Sequence, residues 1–442
     1  ISYKRRLILI LMNIRKFFKA KLIRQVKKLS IFVFLLSFAL PNEKNFSFKF
    51  NQHTDIDSWW ISKNNFGKNF KESSYDFYHT RTLGQTFLKI NITNGYSYDD
   101  IPKFGETYLQ YNFNDNIYLI AGRFYRVFSN YMNDELSSGH MLISNNARPM
   151  PKLGLNGKFE IKRNKDVFFT WGISHAKFKK NQYYSDAPFL HEKFVYIHYN
   201  FKKKHSLNVG LAHEAIWAGT TTEIGSINNP GNQPDTIKDF LKVFISADGP
   251  LIEGEKHANA LGAHSGIWDF NYLKKENGKE LSIYYQHYFE DTSSLRFANK
   301  TDGLWGIEAT NYLKNTKILL EYLNTSNCCI NPPYQNDNYY WNYQYLDGLK
   351  YENMIIGNPF VNDGGPRDEL KLFHLGLSYT LENKKIKMKM SKINNTRWQS
   401  DYSNKIRYKI LYSFLIQNIN VELFYGDDKK INSGGISLYY KF

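Results

Sequence analysis

The sequence predicts an all-β fold: a transmembrane antiparallel β-barrel of about eighteen strands, preceded by a short N-terminal periplasmic extension or helical plug. Three observations carry the prediction. Phe, Tyr and Trp make up 17 % of the 442 residues while all apolar residues together reach only 42 %, so the aromatics face something other than a large dry core. Segments of about ten residues with alternating hydrophobicity recur along the chain, the pattern of a strand with one wet and one lipid-facing side. The connections between these segments alternate short and long, as an up-and-down barrel requires. Other classes are excluded by the same composition. A polytopic helical membrane protein needs repeated apolar runs of about 20 residues, whereas mean hydropathy here is −0.52. Disordered chains are poor in aromatic and β-branched residues, and this chain is rich in them.

Met12 is read as the start of translation, with residues 1–11 upstream of it. Arg15, Lys16, Lys19, Lys21, Arg24, Lys27 and Lys28 then precede the apolar run Leu29 to Leu40 (LSIFVFLLSFAL). A basic region followed by about a dozen apolar residues is the pattern of a secretory signal peptide, and the run is too short to anchor across a bilayer. Ser37 and Ala39 supply the small residues a signal peptidase reads, which places cleavage after Ala39. The alternative is a buried amphipathic helix. Residues 40–82 are then an N-terminal periplasmic segment or lumen plug, ahead of a barrel over 83–442.

The strand candidates are 83–92, 103–113, 116–126, 153–162, 166–178, 193–201, 205–214, 239–246, 260–274, 279–290, 302–313, 316–325, 370–381, 384–394, 405–416, 418–425 and 434–442, seventeen in all. Trp171, Trp268, Trp305, Tyr284, Tyr312 and Tyr322 are assigned to interfacial aromatic girdles; in a soluble sandwich they would be core. Short polar turns stand around Asn418, Glu382–Asn383, Lys314–Asn315, Lys275–Gly278, Lys202–Lys204, Arg163–Lys165 and Asn114–Asp115. Longer connections occupy 426–433, 395–404, 326–369, 291–301, 215–238, 179–192, 127–152 and 93–102. The alternation fails once, between about 218 and 275, where one more strand is expected. Adding it makes the count eighteen, even as single-chain bacterial barrels require. At the C-terminal end Ile436, Leu438, Tyr440 and Phe442 alternate with Ser437, Tyr439 and Lys441. Such a strand ending in Phe resembles the outer-membrane insertion signal that the barrel-insertion machinery reads, and so implies the bacterial outer membrane.

The charge balance is basic, 58 Lys+Arg against 41 Asp+Glu, or +17. A basic surface attracts anionic lipid headgroups, acidic polysaccharide or nucleic acid, but no compact Lys/Arg block with interleaved aromatics marks a nucleic-acid groove. Cys328 and Cys329 are the only cysteines and are adjacent, so neither a disulfide framework nor a four-ligand zinc site is possible. They are read either as a strained adjacent disulfide or as two reduced thiols. The chain carries no G-x-S-x-G, no H-E-x-x-H and no phosphate-cradling glycine loop. No catalytic residue, metal ligand or cofactor is therefore assigned.

Five blocks resemble the capsule assembly Wzi family, in particular its Bacteroidetes-type members. They are SSGHMLISNNARPMPKLG (137–154), ANALGAHSGIWDF (258–270), YYQHYFEDTSSLRFANKTDGLWGIE (284–308), LLEYLNT (319–325) and NDNYYWNYQYLDGLKYENMIIGNPF (336–360), in family order. The resemblance implies an eighteen-stranded outer-membrane barrel with a helical periplasmic plug that holds capsular polysaccharide at the cell surface. One departure stands in the last block, where Trp341-Asn342-Tyr343 replaces the Asn-His expected after the Tyr pair.

Candidate glycan-contact residues follow from chemistry. In the first block Asn145 and Asn146 offer donors and acceptors and Arg148 a planar fork; alternatively Pro149 and Pro151 set the next strand and the asparagines cap turns. Glu290-Asp291 and Asp302 bracket a loop carrying Arg296, Asn299 and Lys300, read as a salt-bridge network or a divalent-ion site against lipopolysaccharide rather than a glycosidase pair. The connection 326–369 carries Tyr334, Tyr339, Tyr340, Trp341, Tyr343 and Tyr345 among Asn336, Asp337, Asn338 and Asp347. Aromatic faces flanked by amides and carboxylates suit sugar rings, or the loop folds into the barrel mouth and packs on itself. The scattered histidines are read as hydrogen-bonders in the lumen. The expected function is a non-enzymatic binder of capsular or other surface polysaccharide, in contact with outer-membrane lipid and lipopolysaccharide. The alternatives are a porin-like channel for small solutes and a barrel enzyme acting on lipid or glycan.

Overall fold

Residues 46–53, 63–67, 73–95, 103–227, 229–251, 258–290, 292–327, 339–361, 369–394, 405–428 and 432–441 are described by a computed structural model. The main sheet has nineteen segments, of which Lys103–Phe104 and Thr107–Asn112 are one strand interrupted at Gly105-Glu106, so eighteen strands form the barrel. In chain order they are β1 (Phe46–His53), β2 (Ser73–Leu83), β3 (Thr86–Gly95), the interrupted β4 and β5 (Ile117–Arg123). There follow β6 (Pro151–Glu160), β7 (Val167–Lys177), β8 (Phe189–Phe201), β9 (His205–Trp217) and β10 (Ala263–Glu276). Next are β11 (Lys279–Phe289), β12 (Gly303–Thr310), β13 (Thr316–Asn324) and β14 (Lys371–Leu381). The last four are β15 (Lys384–Asn394), β16 (Ile406–Ile416), β17 (Ile419–Asp427) and β18 (Asn432–Lys441). Each pairs antiparallel with its chain neighbour, and β1 pairs with β18, Phe48 opposite Tyr440. Closure leaves no unpaired edge, the one sheet arrangement that satisfies its backbone in lipid.

One end of the barrel carries the tight turns. Asn277 and Gly278 (φ 51° and 73°) adopt the left-handed conformations that two-residue hairpin turns need to match strand twist, and Lys202 and Lys203 (φ 51° and 53°) adopt them in the three-residue turn between Phe201 and His205. The described long connections, 124–150 and 339–361 among them, stand at the opposite end. Side chains alternate in and out. In β8, Phe194 and Tyr196 meet Phe128 inside the lumen, while Val195, Ile197 and Tyr199 stay 46, 46 and 44 % exposed on the outer wall.

The apolar core lies inside the barrel. Two connections, 124–150 after β5 and 339–361 after β13, pack against the inner wall with Leu136, Met141, Leu142, Tyr340, Tyr345 and Tyr351 buried. They are stitched to each other. The Ser144 N–H donates to Ile356 O at 2.8 Å, and Asn358 Nδ2 donates to Gly139 O at 2.7 Å. Wall glycines make room for the rings that meet this plug: Tyr196 and Tyr284 lie across Gly210 and Gly306 of the next strand, where a Cβ would overlap each ring.

Two expectations are corrected here. Residues 40–82 do not simply precede the barrel, because Phe46–His53 and Ser73–Leu83 are its first two strands. Phe46, Phe48 and Phe50 alternate with Ser47, Lys49 and Asn51, and the pairing places Lys49 beside Glu422 in the lumen. The lumen is filled from connections at the long-loop end, among them residues 63–67 of this same stretch, where the Phe66 and Gly67 N–H groups donate to Asn145 O and Asn146 O at 2.7 and 3.0 Å. Nor, among the described residues, is there a barrel strand at 239–246 or a further one between β9 and β10: the short strands Thr220–Thr221 and Gly231–Asn232 belong to a separate small sheet, and 237–244 is helix α1 (Ile237–Phe244), inside the connection that joins β9 to β10. A capping box explains it, the Thr236 side chain accepting from the Asp239 N–H while Asp239 accepts from Thr236. Seventeen candidates lose one and gain two, so eighteen strands stand on a different membership. Of the girdle residues, Tyr284 points into the lumen toward Glu321, whereas Trp305 and Tyr322 are outside, Trp305 stacking on Tyr285 at 3.8 Å. The expected signal peptide, Phe442 and the two cysteines lie outside the described residues, while Ile436, Leu438 and Tyr440 occupy one face of β18.

Candidate functional site

The lower layer of the site is the plug and the carboxylates that hold it. A carboxylate on a strand cannot be left bare in a dry interior, and hydrogen bonds to a charged acceptor are the stronger class. Asp269 of β10 accepts from Ser129, from Tyr131 and, at 2.8 Å, from Tyr196. Glu321 of β13 accepts from Ser137 Oγ at 2.7 Å, from the Ser138 N–H at 2.6 Å and from Tyr284. Asp302, ahead of β12, accepts from Asn324 at 2.8 Å, from the Asn327 N–H at 3.0 Å and from Tyr339 at 3.1 Å. Glu290 accepts from the Tyr340 N–H at 2.8 Å. The acidic set singled out in the sequence thus fixes loop ends to the wall. Among the described residues no group of His, Cys, Asp or Glu has a metal-holding arrangement.

His140 tightens the first plug segment on itself. Its Nδ1 accepts from the Leu142 and Ile143 N–H groups at 3.0 and 3.1 Å, and its Nε2 lies 3.0 Å from Ser129 Oγ. That pattern requires a neutral ring with the proton on Nε2. Burial, aided by the nearby Arg126 cation, holds the His140 pKa well below the ordinary histidine value. Beneath the plug, toward the tight turns, a polar cavity of about 630 Å³ lies among Asn133, His198, Asn208, Asn271, Glu308 and Lys317.

The upper layer is a surface where three long connections join. The Thr222 N–H donates to Tyr183 O at 3.0 Å, and the Ile227 N–H donates to Tyr343 O at 2.9 Å. Gln344 Nε2 donates to Asn229 O at 2.8 Å, and Asn181 Nδ2 donates to Asp347 at 2.7 Å. These bonds bring partly exposed Tyr183, Trp341 and Tyr343 together with exposed Gln182, Glu223 and Asn229. Exposed Lys177, Lys179 and Lys180 flank the surface. Lys179 joins Arg148 on Glu352. Burial alone would raise the Glu352 pKa, but hydrogen bonds from Arg148 and Lys179 overcome it and hold the carboxyl below its ordinary value.

The residues proposed from sequence divide accordingly. Asn145, Asn146, Tyr339, Tyr340 and Tyr345 are buried, between 1 and 4 % exposed. Their polar atoms serve the plug: Asn145 donates to Asp134 O at 3.1 Å and Asn146 to Ile355 O at 3.0 Å. Arg148 is turned to Glu352, its Nε at 2.8 Å. Trp341 is partly exposed and Arg296 exposed, while Tyr334 and Asp337 lie outside the described residues. Gln182, Tyr183, Asn229 and Gln344 escaped the sequence reading, since three short polar stretches far apart in the chain carry no joint signal. The Tyr183-Tyr184 pair is the one hint, with Tyr184 buried and Tyr183 left at the surface.

With this geometry in hand, comparison with known proteins is informative. The family model of the capsule assembly protein Wzi matches residues 64–386. A solved structure of the Escherichia coli outer-membrane protein Wzi, described as involved in group 1 capsule assembly and as a carbohydrate-binding β-barrel, superposes with a TM-score of 0.62 at 14 % identity, covering 90 % of this chain and 84 % of that one. The outer-membrane channel DcaP of Acinetobacter baumannii (TM-score 0.38, 12 % identity) and Pseudomonas aeruginosa OpdQ (0.42, 8 %) each cover 90 % of this chain and are covered over 95 % of their own length. No curated protein sequence matches the chain.

Proposed function

Since the chain belongs to the capsule assembly Wzi family and is a barrel of the bacterial outer membrane, we propose that it is a non-enzymatic protein that binds and anchors capsular or other surface polysaccharide through its outer face. The observation that carries this reading is the joined surface of residues 181–183, 222–229 and 341–344. Aromatic side chains offer faces for sugar C–H groups beside amides that can accept and donate. Along its edge Lys177 and Lys180 share the single carboxylate of Asp186, at 3.7 and 3.6 Å, and Lys179 and Arg148 share that of Glu352, a local excess of positive charge that favours an acidic polymer. A contact surface held by a packed plug loses little freedom on binding, which favours affinity. The porin alternative needs an open lumen, and the plug packs against the inner wall from β5 to β15. Outer-membrane lipid and lipopolysaccharide would meet the outward strand faces, and the insertion machinery the β18 face with Phe442.

The test uses point substitutions. Removing 330–356 would strip Tyr339, Tyr340, Tyr345, Leu349 and Tyr351 from the core and confound binding with folding. In cells carrying Trp341→Ala with Tyr343→Ala, polymer retained on cells is expected to fall and polymer in the medium to rise, with the barrel still resistant to unfolding in cold detergent. Unchanged retention in such cells, with small-solute uptake reduced, would replace this reading with the channel.

A further inference from the structure

Helix α1 stands on the outside of the barrel. Phe240 lies 5.0 Å from His175, 5.3 Å from His191 and 5.3 Å from Trp217, all on the outward faces of β7, β8 and β9. His191 shares its face with exposed Val195 and Ile197, opposite to Phe194 and Tyr196, which meet the plug. Phe240 and Val243 form with Ala215, Trp217 and Leu261 a second small core, separate from the one in the lumen. Lys193, also outward, donates to Phe244 O at the helix C-terminus, where a cation is favoured.

The wall beneath explains why something must lie there. Outward residues of β8 are apolar from Phe201 to Val195, about 20 Å along the strand or about 15 Å of membrane height at a 40° tilt, against a lipid-facing band about 25 Å tall. Above Val195 come Lys193 and His191, flanked on the same face by His175, His213 and His264. The missing height of about 10 Å equals the thickness of one helix, and α1 covers these polar groups.

The helix also has more than one apolar face. At about 100° per residue, Phe240 and Val243 share the arc against the barrel and Lys238, Asp239 and Lys242 share a polar arc. Ile237, Leu241 and Ile245 form a third arc, 83, 58 and 71 % exposed. We propose that this third arc is seated among the acyl chains of the outer leaflet, making α1 an interfacial helix that completes the lipid-facing belt where β7 to β10 turn polar. The belt it continues is the lipid contact of the barrel itself, so the inference rests on the outer-membrane location and not on the glycan reading.

The test is collision accessibility of a nitroxide at position 241, and separately at 237 and 245, in the full chain with Cys328 and Cys329 replaced by Ser. The protein is reconstituted in bilayers of phosphatidylethanolamine and phosphatidylglycerol. Labels at Ile197 and Glu223 set the lipid and water references. The expected result is high oxygen and low nickel-chelate accessibility at 241, as at 197. A profile like that at 223 overturns the proposal, and exclusion of both reagents overturns it in favour of a protein or a second copy covering the helix. Labels at 237 and 245 guard against a local distortion at one site.

Discussion

Two connections from the same end of the barrel meet opposite faces of the same wall. The segment 124–150 goes into the lumen and meets inward carboxylates and amides, Asp269, Gln286, Glu308 and Glu321, each of which takes up hydrogen bonds from it. The segment carrying α1 turns outward and meets Trp217 and Ala215, offering in return Phe240 and Val243. The inner contact is directional and polar, the outer one mainly apolar, with Lys193 donating to Phe244 O and Ser246 Oγ 3.4 Å from His213 and His264 as its hydrogen bonds among the described residues. The difference teaches that a barrel wall sorts its loops by chemistry. A lumen face that must satisfy buried charge recruits hydrogen-bond donors, and a face toward lipid recruits apolar surface.

The largest expected effect comes from removing one polar clamp. Glu321→Ala strands the donors of Ser137, Ser138 and Tyr284, each costing about 1–3 kcal/mol when buried without a partner. The plug should loosen while the barrel persists, read as proteolytic nicking within 124–150 and as ion conductance in planar bilayers above that of the parent. Glu321→Gln keeps an acceptor and should give a smaller version of both; parent-like behaviour of Glu321→Ala would show that the clamps do not hold the plug. On the outer side, Phe240→Ala should cost about 1.5–3 kcal/mol of helix docking, seen as lost amide-exchange protection over 237–244 with conductance unchanged. A conductance change there would break the independence of the two regions.

Acid should separate them further. His140 is neutral when folded, with its pKa held far down by burial. The unfolded or released segment takes up a proton near the ordinary value of about 6.5. Plug stability is therefore full above that value and is lost as pH falls below it, by about 1.4 kcal/mol per unit until the folded pKa is reached. Plug release should begin at milder denaturant at pH 5 than at pH 7.5, and His140→Gln should flatten that dependence. The smallest effect belongs to the surface ion pairs. Lys179, whose side chain is 58 % exposed, should lose at most about 1 kcal/mol as Lys179→Ala. Arg148, at 11 %, should cost more on truncation because its ion pair is less exposed to water and it gives Glu352 two hydrogen bonds where Lys179 gives one. Thermal melts of the two variants give the order.

Much of the barrel was legible because alternation has period two and is written locally. β11, β14, β15 and β17 fall within a residue or two of the segments read from pattern. The failures have physical causes. Phe46, Phe48 and Phe50 carry a clean alternation, yet so close to the apolar run 29–40 the segment reads as an extension. The window 239–246 mixes apolar and polar residues in a way that satisfies both periods, and Thr236 with Asp239 decides for helix. In the candidate site, aromatic richness drew attention to Tyr339, Tyr340 and Tyr345, which the tertiary structure buries.

What the sequence determined by itself is the class: strands of alternating hydrophobicity and turns such as Asn277-Gly278 follow from residue-to-residue chemistry. Which side of the wall each long connection would take, and which of its aromatics would remain at the surface, only the tertiary structure decided. Those outcomes depend on groups far apart in the chain, Ser137 with Glu321 or Phe240 with His191, and the closed barrel is what brings such partners within hydrogen-bond or packing distance.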